Sequence, residues 1–291
     1  MHLLNATSAA PRSLPIPGGT IHQAAIQHAT PYLRSVPADP APASDPTIRH
    51  HLAAHPALGA LPEQDRNALL RWSRVRSLKR QEVICRQGDA ASTVILVLEG
   101  YLKLSVACAD GGEAFLDIAG PGDCAGAITA LDRRAHDSDV TALSPARALM
   151  IDARQFWQTF ERHPEALLAI LRLATARLRR VTDQLAGIAG LPAPARLAKV
   201  LLRLTQLPAA GTDAALRLSQ VELAVMTGVS RELINKQLRE WRDAGWVRMS
   251  SGSVTSVHEA ALTRVAEGEM DRDLRPSVAP QRRSAAMPAG R

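Results

Sequence analysis

The sequence predicts an α+β chain in which two folded blocks are joined by one long helix. Three observations predict it. Short β-rich runs punctuated by glycine fill residues 58–152, an apolar seam of heptad spacing fills 164–190, and two helices joined by a glycine turn precede a hairpin within 192–260. At 291 residues the chain has room for two domains plus tails.

Residues 1–57 read as a disordered arm. Eight prolines fall between Pro11 and Pro46, with few large apolar residues to offset the entropy of ordering. Within it, Ile21–His28 has the pattern of a short helix. Residues 268–291 read as a disordered tail of charge, proline and small residues, and its Arg282 and Arg283 suit a solvated tail or a contact with nucleic acid.

The first folded block, 58–163, starts with a helix over Leu61–Arg71, with Pro62 at its first turn. Strands are expected at Glu82–Arg86, Thr93–Leu98, Tyr101–Ala107, Ala114–Ala119 and Ala148–Ile151. Several short strands at this spacing make a small barrel or sandwich. The run VILVLEGYLKLSV is the clearest hairpin and turns at Glu99-Gly100.

A long helix is expected at 164–190, between Pro164 and Gly190 with Pro192 beyond. Its apolar residues Leu167, Leu171, Ala174, Leu178, Val181, Leu185 and Ile188 alternate in steps of four and three. Such a narrow seam favours pairing with a second copy of the helix over lying on the chain's own barrel, which calls for a wider apolar face. Arg172, Arg177, Arg179 and Arg180 lie off the seam.

The second block, 191–260, opens with an amphipathic helix over Arg196–Gln206 and a short strand at Leu216-Arg217-Leu218. Ser219 with Glu222 forms a capping box for the next helix, which ends at Thr227. Gly228 makes the turn, and Ser230 caps a helix over Arg231–Ala244. This is the layout of a helix-turn-helix. Trp246–Met249 and Val254–Val257 form a hairpin wing. On the second helix, Leu233, Ile234, Leu238 and Trp241 are assigned to the core, and Arg231, Glu232, Asn235, Lys236 and Arg239 to the outside. These outer residues suit DNA: arginine donates twice to guanine, glutamate accepts from cytosine, and lysine and asparagine reach base edges or phosphates. A solvated charged helix is the plainer alternative. The capped start after a tight turn favours DNA.

In this order of features the chain resembles the CRP/FNR family of transcription regulators over residues 58–260. The resemblance rests on Gln87-Gly88-Asp89, Glu99-Gly100, Pro121-Gly122-Asp123, the long helix, Leu218-Ser219-Gln220 and Val229-Ser230-Arg231-Glu232. It implies an N-terminal antiparallel β-roll of the cyclic-nucleotide-binding type, a dimerisation helix and a C-terminal winged helix-turn-helix. It also implies a TGTGA-like half-site read by Arg231 and Glu232. The third reader, often arginine in the family, is Lys236, which lacks the planar fork. Ser219, Gln220, Ser230, Asn235, Arg239 and Arg248 complete the expected DNA contacts.

Family members that bind cAMP hold its ribose with a glutamate after a glycine and its phosphate with an Arg-Ser pair. Here these positions fall on Gly126-Ala127 and Asp137-Ser138, and the polar pair on the dimer helix falls on Val181-Thr182. Arg133 and Arg134 are the alternative phosphate ligands. The expected effector pocket is thus Gly126, Ala127, Arg133, Arg134, Ser138 and Thr182, without the usual cAMP contacts.

Three scattered cysteines, Cys85, Cys108 and Cys124, make neither a disulfide framework nor a four-thiolate cluster site, and fit a reducing compartment. His136 and His163 are weighed as haem or metal ligands against ordinary surface histidines, and no cofactor is assigned. A net charge of +7 permits a polyanionic partner. No run is long enough to cross a bilayer, and the N-terminus lacks the pattern of a signal peptide, so a cytoplasmic protein is expected. No catalytic constellation stands out. The expected partners are double-stranded DNA, a second copy of the chain and, for an activator, RNA polymerase. The rival from another class is a nucleotide- or redox-sensing module acting through protein partners.

Overall fold

The computed structural model describes residues 45–109, 111–207, 218–250 and 252–268. The chain begins with helix α1 (Pro46–Ala54) and helix α2 (Glu63–Arg71). Eight strands follow: β1 (Ser73–Leu78), β2 (Val83–Cys85), β3 (Thr93–Glu99), β4 (Leu102–Ala107), β5 (Glu113–Ala119), β6 (Cys124–Ala125), β7 (Asp139–Ala142) and β8 (Ala146–Asp152). A short helix, α3 (Ala127–Asp132), interrupts them.

The strands form two four-stranded antiparallel sheets, β1-β8-β3-β6 and β2-β7-β4-β5. Strand β3 explains how they pack. Its Ile95 and Val97 point between the sheets, with Leu102, Leu104, Val140, Ala148 and Met150. Its Val94, Leu96 and Leu98 point the other way, into a layer of helices carrying Leu69, Phe156, Phe160 and Ile170. Both faces are buried, so the strand reads as an unbroken apolar run rather than an alternating one. The hairpin turns at Gly100 as expected. Its φ is 78°, and a Cβ there would lie 2.4 Å from the Pro145 carbonyl oxygen.

Helix α1 corrects the expected arm of residues 1–57. Asp45 accepts the Thr47 N–H as an N-cap, Pro46 occupies the first turn, and Ile48 and Leu52 are buried in the helical layer. Two apolar residues four apart outweigh the proline-rich composition around them. Residues 1–44 and 269–291, with the expected helix at Ile21–His28, lie outside the described residues. So does most of the expected strand ending at Leu218.

Helix α4 (Ala153–Glu161) leads into α5 (Pro164–Gly190), 27 residues and roughly 40 Å long. The second block consists of α6 (Ala193–Thr205), α7 (Gln220–Thr227), α8 (Arg231–Asp243), β9 (Val247–Ser250), β10 (Ser253–Val257) and α9 (Glu259–Ala266). Strands β9 and β10 pair antiparallel as the wing. Helix α9 extends the second block past the expected end at 260, because Ala261, Leu262 and Val265 are buried in its core. The two blocks share an apolar cluster in which Tyr101, Phe115, Ile118 and Leu143 join the core of the helical domain.

Candidate nucleic-acid interface and effector cavity

Helix α7 starts from the expected capping box. The Glu222 N–H donates to Ser219 Oγ at 3.2 Å, and the Ser219 N–H donates to Glu222 Oε2 at 2.6 Å. Gly228 adopts the left-handed conformation that ends α7, and Ser230 Oγ accepts the Leu233 N–H to start α8. Ile234, Leu238 and Trp241 recur at four and three residues and fill the buried stripe. Leu233, one residue before that stripe, is turned about 100° away and is 50% exposed. This corrects its assignment to the core.

The outer face of α8 carries Arg231, Glu232, Lys236 and Arg239, all exposed, with Asn235 half-buried. Ser230 is exposed beside them, and Ser219 and Gln220 are half-buried at the start of α7. Arg248 is exposed on the wing strand β9. The four cations Arg231, Lys236, Arg239 and Arg248 and the carboxylate of Glu232 offer donors and an acceptor of the kinds that base edges and phosphates need.

Two carboxylates hold this domain against the β-roll. Glu222, 6% exposed, also accepts from Arg80 at 2.7 Å and from Gln81 Nε2 at 2.8 Å, both in the turn between β1 and β2. Asp117 on β5, 4% exposed, accepts from Arg180 of α5 at 2.9 Å and from Arg203 of α6. Gln184 of α5 donates to the Phe115 carbonyl at 2.7 Å. These polar tethers joining the blocks were not found from the sequence, because their partners lie 63 to 142 residues apart.

Along α5, Leu171, Leu178 and Leu185 are 57%, 65% and 62% exposed, and Ile188 is exposed with them. Leu167, Ala174 and Val181 of the same expected seam are half-buried. Leu167 packs on the helical layer of its own chain and Ala174 lines a cavity. The helix therefore has one face on the β-roll and a leucine row turned outward.

The cavity between α5 and the β-roll holds about 190 Å³. Gly126 and Ala127 line it, as the sequence predicts, together with Asp117, Asp123, Arg177 and Arg180. Burial raises the Asp123 carboxyl above its usual range, and the neighbouring Asp117 adds to this. Arg133, Arg134, Ser138 and Thr182 are not among its lining residues, which corrects the expected pocket. Arg133 lies over the Trp157 ring, 3.6 Å from its centre. Arg134 points to solvent near Asp132. Ser138 Oγ donates to Asp137, and Thr182 Oγ1 donates to the Leu178 carbonyl. Arg177 and Arg180 are the cations that face this space. Their three-residue spacing on the side of α5 away from the seam is the signal that marks them.

His136 is buried beside Gly126, and His163 Nε2 lies 3.0 Å from an Asp65 oxygen. Burial pushes the Cys85 thiol up to about 12, with the nearby carboxylate of Asp89 adding to it, and raises Cys124 as well. Both are held as thiols, not nucleophilic thiolates. Among the described residues no group of three or more His, Cys, Asp and Glu side chains is arranged to hold a metal ion. No helix among them is long and apolar enough to cross a membrane.

Comparison with known proteins agrees with this geometry. Residues 75–163 match the cyclic nucleotide-binding domain and residues 195–265 the Crp-like helix-turn-helix domain. The CRP-like cAMP-activated global transcriptional regulator of Mycobacterium tuberculosis is 31% identical over 189 residues, which cover 64% of this chain and 84% of that protein. The cyclic AMP receptor protein of Thermus thermophilus is 28% identical over 204 residues, covering 70% of this chain and 92% of that one. A solved CRP-family transcriptional regulator, also from Thermus thermophilus, superposes with a TM-score of 0.57 at 27% identity, over 66% of this chain and 96% of its own. A β-roll, a long helix and a winged helix-turn-helix, matched in this order over most of a regulator's length, make the chain a member of the CRP/FNR family of transcription regulators, not an enzyme.

Proposed function

We propose that the protein acts in the cytoplasm as a homodimer that binds a two-fold symmetric DNA site, with its affinity set through the β-roll. The observation that carries this reading is the exposed, charged start of α8 combined with the exposed leucine row of α5. A leucine row every seven residues suits a second α5, and pairing there would bring two α8 helices onto one duplex. Half-sites one helical turn apart, about 34 Å, would then be read together.

In this reading Arg231 donates to guanine, Glu232 accepts from cytosine, and Lys236 and Asn235 reach the next base or its phosphate. Ser219, Gln220, Ser230, Arg239 and Arg248 contact the backbone. The exposed Leu233 adds an apolar contact for a thymine methyl. An activator of this kind would also meet RNA polymerase. The Mycobacterium tuberculosis relative is described as cAMP-activated, yet Ala127 offers a methyl group where the ribose of cAMP needs a carboxylate. Modulation therefore runs through the β-roll cavity with other contacts. The protonated thiols of Cys85 and Cys124 give no support to a redox sensor.

The test is DNA binding by fluorescence anisotropy, with a palindrome of TGTGA half-sites and a random duplex. Arg231→Ala should cost about 1–3 kcal/mol on the palindrome and relax one base position. Arg248→Ala should weaken both duplexes alike and flatten the salt dependence. Wild-type discrimination by Arg231→Ala would remove the assigned role.

A further inference from the structure

A second cavity, of about 230 Å³, lies where α5 gives way to α6, under β5 and α7. Its apolar walls include Phe115 and Ile118 of β5, Ile188 of α5, Leu204 of α6 and Met226 of α7. It meets the β-roll cavity only at Ile118 and Arg180, and contains neither Gly126 nor Ala127.

The charges around this corner are unbalanced. Arg180 and Arg203 line it, but both are answered by Asp117. Arg196 is not answered. Its Nε is buried without a hydrogen-bond partner, and it forms no ion pair with a carboxylate among the described residues. Lys199 stands exposed at the rim with no acidic partner among the described residues, and Asp183 is the one carboxylate among the lining residues. A buried charged donor without an acceptor is costly, and folded proteins pair nearly all such groups. The Arg196 guanidinium also lies against the helix-turn-helix, with Nη1 3.6 Å from where a Cβ on Gly228 would sit.

We propose that this corner binds a small amphipathic carboxylate. Its apolar chain would lie against Phe115, Ile118, Ile188 and Met226, and its carboxylate would face the Arg196 guanidinium with Lys199 at the rim. A single guanidinium edge in mostly apolar walls matches one carboxylate better than a phosphate, which asks for more donors. The walls come from the β-roll, the long helix and the DNA-binding domain. An occupant therefore holds the three together, and by linkage its binding and DNA binding alter each other. That last step rests on the DNA-binding role proposed above; the site itself does not.

The test is isothermal titration of the full-length protein, without DNA, using sodium octanoate as the probe. One octanoate should bind per chain. Binding of 1-octanol, which has the chain without the charge, should be at least tenfold weaker. Arg196→Gln should weaken octanoate at least tenfold while leaving the melting temperature unchanged or raised, since an unanswered charge is removed. No saturable heat up to millimolar octanoate, or equal binding of octanoate and octanol, would overturn the site without use of any variant. So would unchanged octanoate binding by Arg196→Gln. Anisotropy with the TGTGA palindrome then reads the linkage: at least a threefold shift in DNA affinity at saturating octanoate is expected. Octanoate binding with no such shift would refute the linkage and leave the site.

Discussion

His55 closes the turn after α1 with its ring. Nδ1 accepts the Ala57 N–H at 3.2 Å and the Leu58 N–H at 3.1 Å, and burial lowers its pKa to about 4 from the usual 6.5. The ring accepts those bonds only while neutral. The unfolded chain binds this proton near pH 6.5 and the folded chain near pH 4, so the stability contributed by the neutral ring is complete above pH 6.5. It is lost as pH falls through the folded value near 4. The span corresponds to about 3 kcal/mol at ~1.4 kcal/mol per pH unit. Chemical denaturation between pH 7 and pH 4 should show this loss, and His55→Asn, which keeps an acceptor but does not titrate, should flatten that part of the profile. An unchanged slope in the variant would show that other groups carry it. No periodicity in the sequence marks His55, because its role depends on a turn that exists only once α1 is docked. Ser219, Glu222, Gly228 and Ser230 were legible because a cap and its turn are written within a few consecutive residues.

At the level of elements the same rule holds. The strands at 93–99, 102–107 and 113–119 and the helix at 164–190 carry enough apolar residues to announce themselves. Strand β1 carries Arg74 and Arg76 and pairs with β8 from 68 or more residues away, so its pairing was not legible locally. The two-residue β6 and the four-residue β7 are too short for any period to show. Helix α1 was hidden by composition, although Asp45-Pro46 and the pair Ile48 and Leu52 contain a start signal and a buried face. For α5, spacing gave the outward row of Leu171, Leu178 and Leu185 but not the inward face, where Ala166 and Ile170 are buried and Leu167 and Ala174 turn toward the chain's own β-roll. Changing Leu178 and Leu185 together to lysine should therefore leave the fold and its circular dichroism intact, since both side chains are exposed in the single chain. The same change should convert a dimer to a monomer and abolish specific DNA binding. Sedimentation that finds the wild type monomeric at micromolar concentration would end this reading of the seam.

Across the whole molecule, the β-roll cavity and the helix-turn-helix block meet at Asp117, which lines that cavity and accepts from both Arg180 of α5 and Arg203 of α6. A ligand shifts such an arrangement only as far as it prefers one pose over another. In the proposed reading cAMP lacks the contacts that would create that preference, since Ala127 is buried on α3 and the Ser138 hydroxyl is turned to Asp137. Each absent charged hydrogen bond forfeits about 1.5–3 kcal/mol, so losing two weakens binding between roughly a hundredfold and ten-thousandfold. Titration calorimetry should find no micromolar affinity for cAMP. Micromolar binding that disappears in Ser138→Asp would show that the nucleotide sits there after all. The coupling between blocks was the least legible property in the sequence, because Arg80 and Glu222 are joined across 142 positions and nothing near either residue announces the other. Their bond also has a consequence for heredity. Glu222 is at once the cap of α7 and the anchor for Arg80 and Gln81, so a gene that loses it loses two unrelated things in one step. A second-site reversion would have to supply a new helix start and a new tether as separate events, so only a change at codon 222 itself regains both in one step.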